Sequence, residues 1–311
     1  MRRRQELGLS VFFADIDEIL GPSSGRYFGD GYRAVEARVR SIGLGAAGVQ
    51  AVGDLKYPRN WSSRAGRART DLHLSSLDAI SLSFRLIEAM SNPSLTGHQS
   101  VKRLSMRAGS SPSHSITDID MHAETLGLEP PIFRTSVLPF SMEVELTPGP
   151  TNAMGPERSA GSEPDWWRPI SSTAVRLHDL TLDASHESLE AQGTWHQSSY
   201  RVPGIGSRFP APSIVDTIAS AGALAQALLY SLDGISREQA GNFWLRRATI
   251  NFSQPPATAA EDEAWRACVS RRSVVTVAES PFVSARVSLV SSSGANMLAD
   301  VAYARGAGDS P

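Results

Sequence analysis

Two stretches decide the fold: LSSLDAISLSFRLIEAM at 74–90 and PSIVDTIASAGALAQALL at 212–229. Aligning Asp78 with Asp216 sets an offset of 138 residues (216 − 78), which also matches Ser75 with Ser213, Leu77 with Val215, Ile80 with Ile218, Leu86 with Leu224 and Ala89 with Ala227. Upstream, the same offset places Arg38 on Arg176 and Tyr57 on Trp195. A period this long exceeds the roughly 20 to 50 residues of a solenoid unit, so it points to a duplicated domain. In the first stretch Leu77, Ile80, Phe84 and Ile87 recur at helical spacing, with Ser75 or Ser76 as N-cap and Pro93 as the stop. The second, GALAQALL, is small and apolar on nearly every side, which suits a helix enclosed by a sheet.

The flanking segments repeat as well. Tyr32 to Ile42 and Gly48 to Tyr57 read as strands before the first helix, and Val101 to Arg107 and Phe133 to Leu146 follow it. Ala174 to Leu182 and Ser188 to His196 precede the second helix, and Phe243 to Phe252, Trp265 to Val277 and Phe282 to Tyr303 follow it. Gly109 to Pro131 and Thr147 to Arg168 read as irregular. The expected class is α+β, a double hot-dog of two tandem curved antiparallel sheets, each wrapped around a central helix. Its expected division is a first domain at 1–147 with an N-terminal extension, a Pro/Gly-rich linker at 148–168 and a second domain at 169–311. A pair of unrelated α+β domains is the alternative.

Composition bounds the function. The 311 residues are 41% hydrophobic and 20% charged, the profile of a folded chain with one large domain or two of about 150 residues. Thirty basic against 32 acidic residues give a net charge of −2, so nucleic acid is not an expected partner. A single cysteine, Cys268, excludes an intramolecular disulfide framework and fits a reducing compartment. The N-terminal apolar run LGLSVFF is interrupted by Asp15, Asp17 and Glu18, too soon for an export signal. The expectation is a cytoplasmic enzyme or binding protein with no membrane span; a homodimer is one assembly open to it.

Candidate chemistry centres on Asp78 and Asp216. Leu77-Asp78-Ala79-Ile80-Ser81 and Val215-Asp216-Thr217-Ile218-Ala219-Ser220 resemble the central-helix motif of hot-dog dehydratases, which carries a catalytic carboxylate. A carboxylate at a helix start is also stabilised by the dipole, by about 0.3 to 1 kcal/mol, so a purely local role is the alternative. His73 and His196 are the nearest counterparts of the dehydratase histidine. Glu88 and Gln226 share the offset and are read as hydrogen-bonding groups of a helix or as substrate-orienting groups. Trp244, Arg246 and Arg247 form the local candidate for holding a phosphopantetheine arm or an acidic carrier. His114, Asp118, Asp120 and His122 have metal-ligand types but read as a solvated loop, and no metal is expected. Arg64, Arg67 and Arg69 read as a basic edge.

The stretches IDEILGPSSGRYFGDGYRAVEARV from Ile16, YPRNWS from Tyr57, HLSSLDAI from His73 and LLYSLDGISREQAGNFWLRR from Leu228 resemble the AvrD avirulence-protein family. That family is implicated in making syringolide-type elicitors from a β-ketoacyl chain and a ketopentose. It is similar in chemical logic to the A-factor synthase family, double hot-dogs that join a β-ketoacyl thioester to a hydroxyl of dihydroxyacetone phosphate. The resemblance implies an acyltransferase or condensing enzyme of secondary metabolism, with an acyl-carrier or CoA thioester and a small polyol or sugar-like acceptor as partners and no resident cofactor. A dehydratase or thioesterase and a non-catalytic acyl or carrier binding module are the alternatives. Of the two carboxylates, Asp216 is the expected working group and Asp78 its counterpart.

Overall fold

The computed structural model describes residues 10–45, 48–59, 61–64, 67–68, 72–90, 99–147, 174–196, 204–208, 211–253, 262–277 and 280–305. The expected linker at 148–168 lies outside these residues.

The N-terminal part holds β1 (Val11–Asp15) and a single turn, α1 (Asp17–Leu20). The first half then runs β2 (Glu36–Gly45), β3 (Gly48–Lys56), a small ribbon of β4 (Ser63–Arg64) and β5 (Arg67–Ala68), and α2 (Ser76–Met90). It ends with β6 (Val101–Arg107), β7 (Ile119–Leu128), β8 (Pro131–Val137) and β9 (Phe140–Leu146). The second half runs β10 (Ala174–Asp183), β11 (Ser188–His196), α3 (Ile214–Asp233), β12 (Ala240–Phe252), β13 (Asp262–Val277), β14 (Ser280–Ser291) and β15 (Ala295–Arg305).

All the strands but β4 and β5 form one 13-stranded antiparallel sheet, ordered β1-β10-β11-β13-β14-β15-β12-β6-β9-β8-β7-β3-β2. The connectivity of the two halves is the same. Number the six strands of each half in chain order, and both halves read first, second, fourth, fifth, sixth, third. The halves join where their third strands pair, β6 against β12, with Ser105 opposite Thr249. Each long helix follows the second strand and packs on its own half: α2 on β2, β3, β7, β8 and β9, and α3 on β10, β11, β13 and β14. A helix laid against an antiparallel sheet in this order is the hot-dog arrangement, and the protein is mostly β.

Local sequence explains these elements. In β9 and β15, alternate residues face the helices: Phe140, Met142, Val144 and Leu146 in one, Ala295, Met297, Ala299, Val301 and Tyr303 in the other. Helix α3 starts at Ser213, whose side chain accepts the Asp216 amide at 3.1 Å, and stops at Gly234, which takes the left-handed conformation at φ 63°. Helix α3 is the one helix among the described residues long and apolar enough to cross a membrane, and 83% of its most apolar window is buried within the protein.

Three expectations shift. Gly109 to Pro131 contains a strand, β7, because Ile119, Met121 and Ala123 point inward while Asp120 points out. Of the acid and histidine spacing there, His114 and Asp118 precede β7, with Asp118 paired to Arg40, while Asp120 and His122 lie on the strand face opposite the inward residues. Phe133 to Leu146 and Phe282 to Tyr303, each read as one run, are hairpins. Tyr32 is not in a strand: Gly31–Ala34 forms a turn of 3-10 helix and β2 starts at Glu36.

The N-terminal segment belongs to neither half alone. Strand β1 adds to the second half's sheet through β10, and the chain then crosses α3, where the Phe28 ring would lie 3.3 Å from a Cβ at Gly222. It continues into β2 of the first half.

Candidate active site

The two helix starts share their inner geometry. At α2, the Ser75 hydroxyl donates to Asp78 Oδ2 at 2.6 Å and accepts the Asp78 amide at 3.1 Å. At α3, Ser213 donates to Asp216 Oδ2 at 2.7 Å and accepts the Asp216 amide at 3.1 Å. Both carboxyls are buried, at 3% and 0% exposure. Burial is the main cause that raises the pKa of each, opposed by the hydroxyl donors around it.

Their surroundings differ. Asp78 accepts from Tyr27 Oη at 2.8 Å and, more closely, from Tyr57 Oη. Burial first and the Asp78 charge second push both phenols well above the usual tyrosine pKa, so both keep their protons. Asp216 accepts from Tyr32 Oη at 2.6 Å, and the Arg33 guanidinium stands 3.7 Å away. Tyr27, Tyr32 and Arg33 all come from the segment that crosses α3, so one short stretch reaches both carboxylates.

A cavity opens beside the start of α2. Its wall takes Tyr27 and Phe28 from the N-terminal segment, Trp61, and His73, Ser75 and Ser76 from the approach to α2. Gln226 and Tyr230 of α3 and Phe243, Trp244 and Arg246 of β12 close the other side, so the cavity lies between the two halves. The His73 ring centroid stands 5.3 Å from that of Trp244 and 6.0 Å from that of Trp61. The His73 carbonyl accepts from Tyr57 Oη at 3.2 Å, which ties the histidine's backbone to the Asp78 cluster. The first amides of a helix have no acceptor within it, so the wall at Ser75 and Ser76 lies at the positive end of α2.

Of the residues expected from sequence, His73, Gln226, Trp244 and Arg246 meet on this cavity. Asp78 stands behind its wall, one hydroxyl removed. Asp216 does not line it. Glu88 instead accepts the Ile205 amide at 3.1 Å and lies 3.6 Å from Arg85, holding the approach to α3 against α2. Arg247, opposite Asp300 in the β12–β15 ladder, is exposed. His196 closes β11; its side chain lies outside the described residues, as do those of Arg64, Arg67 and Arg69.

The ground next to α3 is occupied. Gly206 accepts the Ile214 amide at 3.0 Å. Arg208, 1% exposed, donates to the Ser293 carbonyl at 2.8 Å and stacks over Phe252. Sequence reasoning missed Tyr27, Tyr57 and Trp61. They lie in the distinctive SGRYFGDGYR and YPRNWS stretches, and the aromatic residues there, interleaved with glycine in the first, were the available signal.

No curated protein matches the chain. Among solved structures it is similar to a tesB protein of Mycobacterium avium subs paratuberculosis, at 12% identity and TM-score 0.47, over 86% of this chain and 95% of that one. It is similar to a hot-dog protein of unknown function from Alicyclobacillus acidocaldarius, at 12% identity and TM-score 0.41, over 90% and 98%. A pyran synthase domain from module nine of the sorangicin pathway aligns at 15% identity and TM-score 0.37, over 87% and 98%. The family model described as Pseudomonas avirulence D protein (AvrD) matches residues 11–151 and 171–303. That match spans nearly the whole chain, which therefore belongs to the AvrD family.

Proposed function

We propose that this protein is an acyltransferase of secondary metabolism, which joins a β-ketoacyl group carried as an acyl-carrier or CoA thioester to a hydroxyl of a small polyol or sugar-like acceptor. Its two halves are read as a duplicated single hot-dog, a double hot-dog with one working site at the start of α2. One observation carries the reading: a histidine, a helix start and an inward-facing glutamine converge on one cavity between the halves.

Each element of the cavity then has a role. His73 takes the proton of the acceptor hydroxyl as its oxygen attacks the thioester carbon. The carbonyl oxygen, where negative charge develops, sits toward the first amides of α2. As the new C–O bond forms, the C–S bond breaks and the thiolate leaves, receiving the proton from His73. Gln226 and Trp244 orient the two substrates, and the exposed Arg246 at the cavity holds the phosphates of the carrier arm.

The test is incubation with a β-ketoacyl carrier thioester and a series of polyols. Acceptor-dependent release of carrier thiol, with an ester product of matching mass, supports transfer. Release at the same rate with water alone would replace transfer by hydrolysis, and loss of water from a β-hydroxyacyl thioester would replace it by dehydration.

A further inference from the structure

The Asp78 cluster has a proton inventory that fixes what its hydroxyls offer to the cavity. An ionised carboxylate accepts and cannot donate. Ser75 and Tyr27 both donate to Asp78 Oδ2, at 2.6 Å and 2.8 Å, and Tyr57 donates to the same oxygen from behind. Tyr27 Oη and Ser75 Oγ also touch each other. Each hydroxyl has one proton: those of Tyr27 and Ser75 are used inside the cluster, and that of Tyr57 is shared between Asp78 and the His73 carbonyl. Ser75 Oγ spends a lone pair on the Asp78 amide as well. Of the four residues, Tyr27 and Ser75 line the cavity, while Asp78 and Tyr57 do not.

We infer that Asp78 is a positioning residue that withdraws the hydroxyl protons of Tyr27 and Ser75, leaving Tyr27 as a hydrogen-bond acceptor on the cavity wall that selects a ligand group bearing its own hydroxyl proton. A polyol satisfies that wall. A carbonyl, ether, carboxylate or phosphate oxygen presents a lone pair to a lone pair there. This rests on the acceptor class proposed above and names the residue that reads it.

The experiment is a binding measurement on the full chain, saturated with an unreactive acyl-pantetheine thioether. Titrants are glycerol, dihydroxyacetone and a ketopentose, each alongside its O-methyl ether. Wild type is expected to bind each polyol about 10-fold more tightly than its ether. Tyr27→Phe should lower polyol affinity to that of the ether and leave thioether affinity unchanged. Tyr57→Phe, which removes a donor behind the wall, should keep the preference. Equal affinity for polyol and ether in wild type, or a preference that survives in Tyr27→Phe, would overturn the inference. If Tyr27→Phe does not fold, the wild-type comparison still decides. Turnover is read separately: a polyol preference lost in Tyr27→Phe, without acyl transfer by wild type, leaves this inference standing and removes the acyltransferase.

Discussion

At the start of α2 and at the start of α3, a serine and an aspartate three residues later hold each other in nearly the same way, and among the described residues the first pair stands at a cavity lined by both halves that the second pair does not line. The difference comes from what reaches each pair. Tyr27 and Ser75 stand between Asp78 and the cavity, with Tyr57 behind them, whereas Tyr32, Arg33 and Ser213 surround Asp216. The offset of 138 sharpens the contrast, because it places Ala211 where the first copy has His73. A duplicated chain retains the helix cap in both copies because both helices need it. Chemistry requires only one site, and the second is free to be filled.

The largest expected effect separates the copies directly. Replacing His73 by glutamine should lower the rate of acyl transfer by about 10² to 10⁴ while thioester affinity changes little. Steady-state rates paired with binding of the unreactive thioether check it, and a variant with unchanged kcat would take His73 out of the reaction. Asp216→Asn, in contrast, should leave kcat/KM within about twofold of wild type, because the described partners of Asp216, namely Tyr32, Arg33 and Ser213, do not line the cavity.

Stability should respond on the α3 side. Tyr32→Phe leaves a fully buried carboxylate short of one donor and should cost about 1 to 3 kcal/mol, with turnover by the remaining folded protein unchanged. Denaturant unfolding measures it; no loss would mean that the Tyr32 hydroxyl contributes nothing to closing the second site.

The pH response has a definite sign. Burial raises the Asp216 pKa above its unfolded value, so the folded state holds that proton more tightly. The resulting stability is fully present below the unfolded pKa near 4 and is lost as pH rises through the folded value. Asp54 runs the other way: the Arg40 and Arg38 guanidiniums and the Asp118 amide hold its carboxyl below the usual range, a contribution present at neutral pH and lost in acid. Unfolding free energies of Asp216→Asn should therefore fall less than those of wild type between pH 4 and pH 7. Parallel curves would contradict the raised pKa. Among the cavity residues the smaller effect belongs to Arg246→Gln, expected to raise KM for the carrier thioester severalfold, without changing kcat, because an exposed arginine contributes little to a bound phosphate in water.

Much of this was legible in the sequence where physics acts locally. Helical spacing and the Ser-x-x-Asp starts located both long helices, and the offset pointed to a repeated strand-pair, helix, strand succession, though not to four strands after each helix or their order in the sheet. The cavity was half legible: His73, Gln226, Trp244 and Arg246 were nameable one by one, but nothing in the spacing shows that a residue of α3 and two of β12 meet the approach to α2. That juxtaposition depends on β6 pairing with β12, a contact between strands about 140 residues apart. The preference for Asp216 followed from the smaller, more apolar second helix and from the LLYSLDGI to FWLRR stretch just beyond it; the apolar character of that helix goes with its enclosure by the sheet. The crossing of the N-terminal segment from β10 to Asp78 was illegible for the same reason, since Tyr27 and Tyr32 carry no sign of which helix each will meet.

The central claim is that one of two equivalent helix starts is the working site, and a crystal structure of the protein bound to an unreactive acyl-pantetheine thioether tests it most directly. The thioether sulfur is predicted between His73 and Gln226, beside Ser75 and Ser76, with nothing bound at Ser213. Density for the thioether at Ser213 and Asp216, with Arg208 and residues 204–206 moved aside, would contradict it.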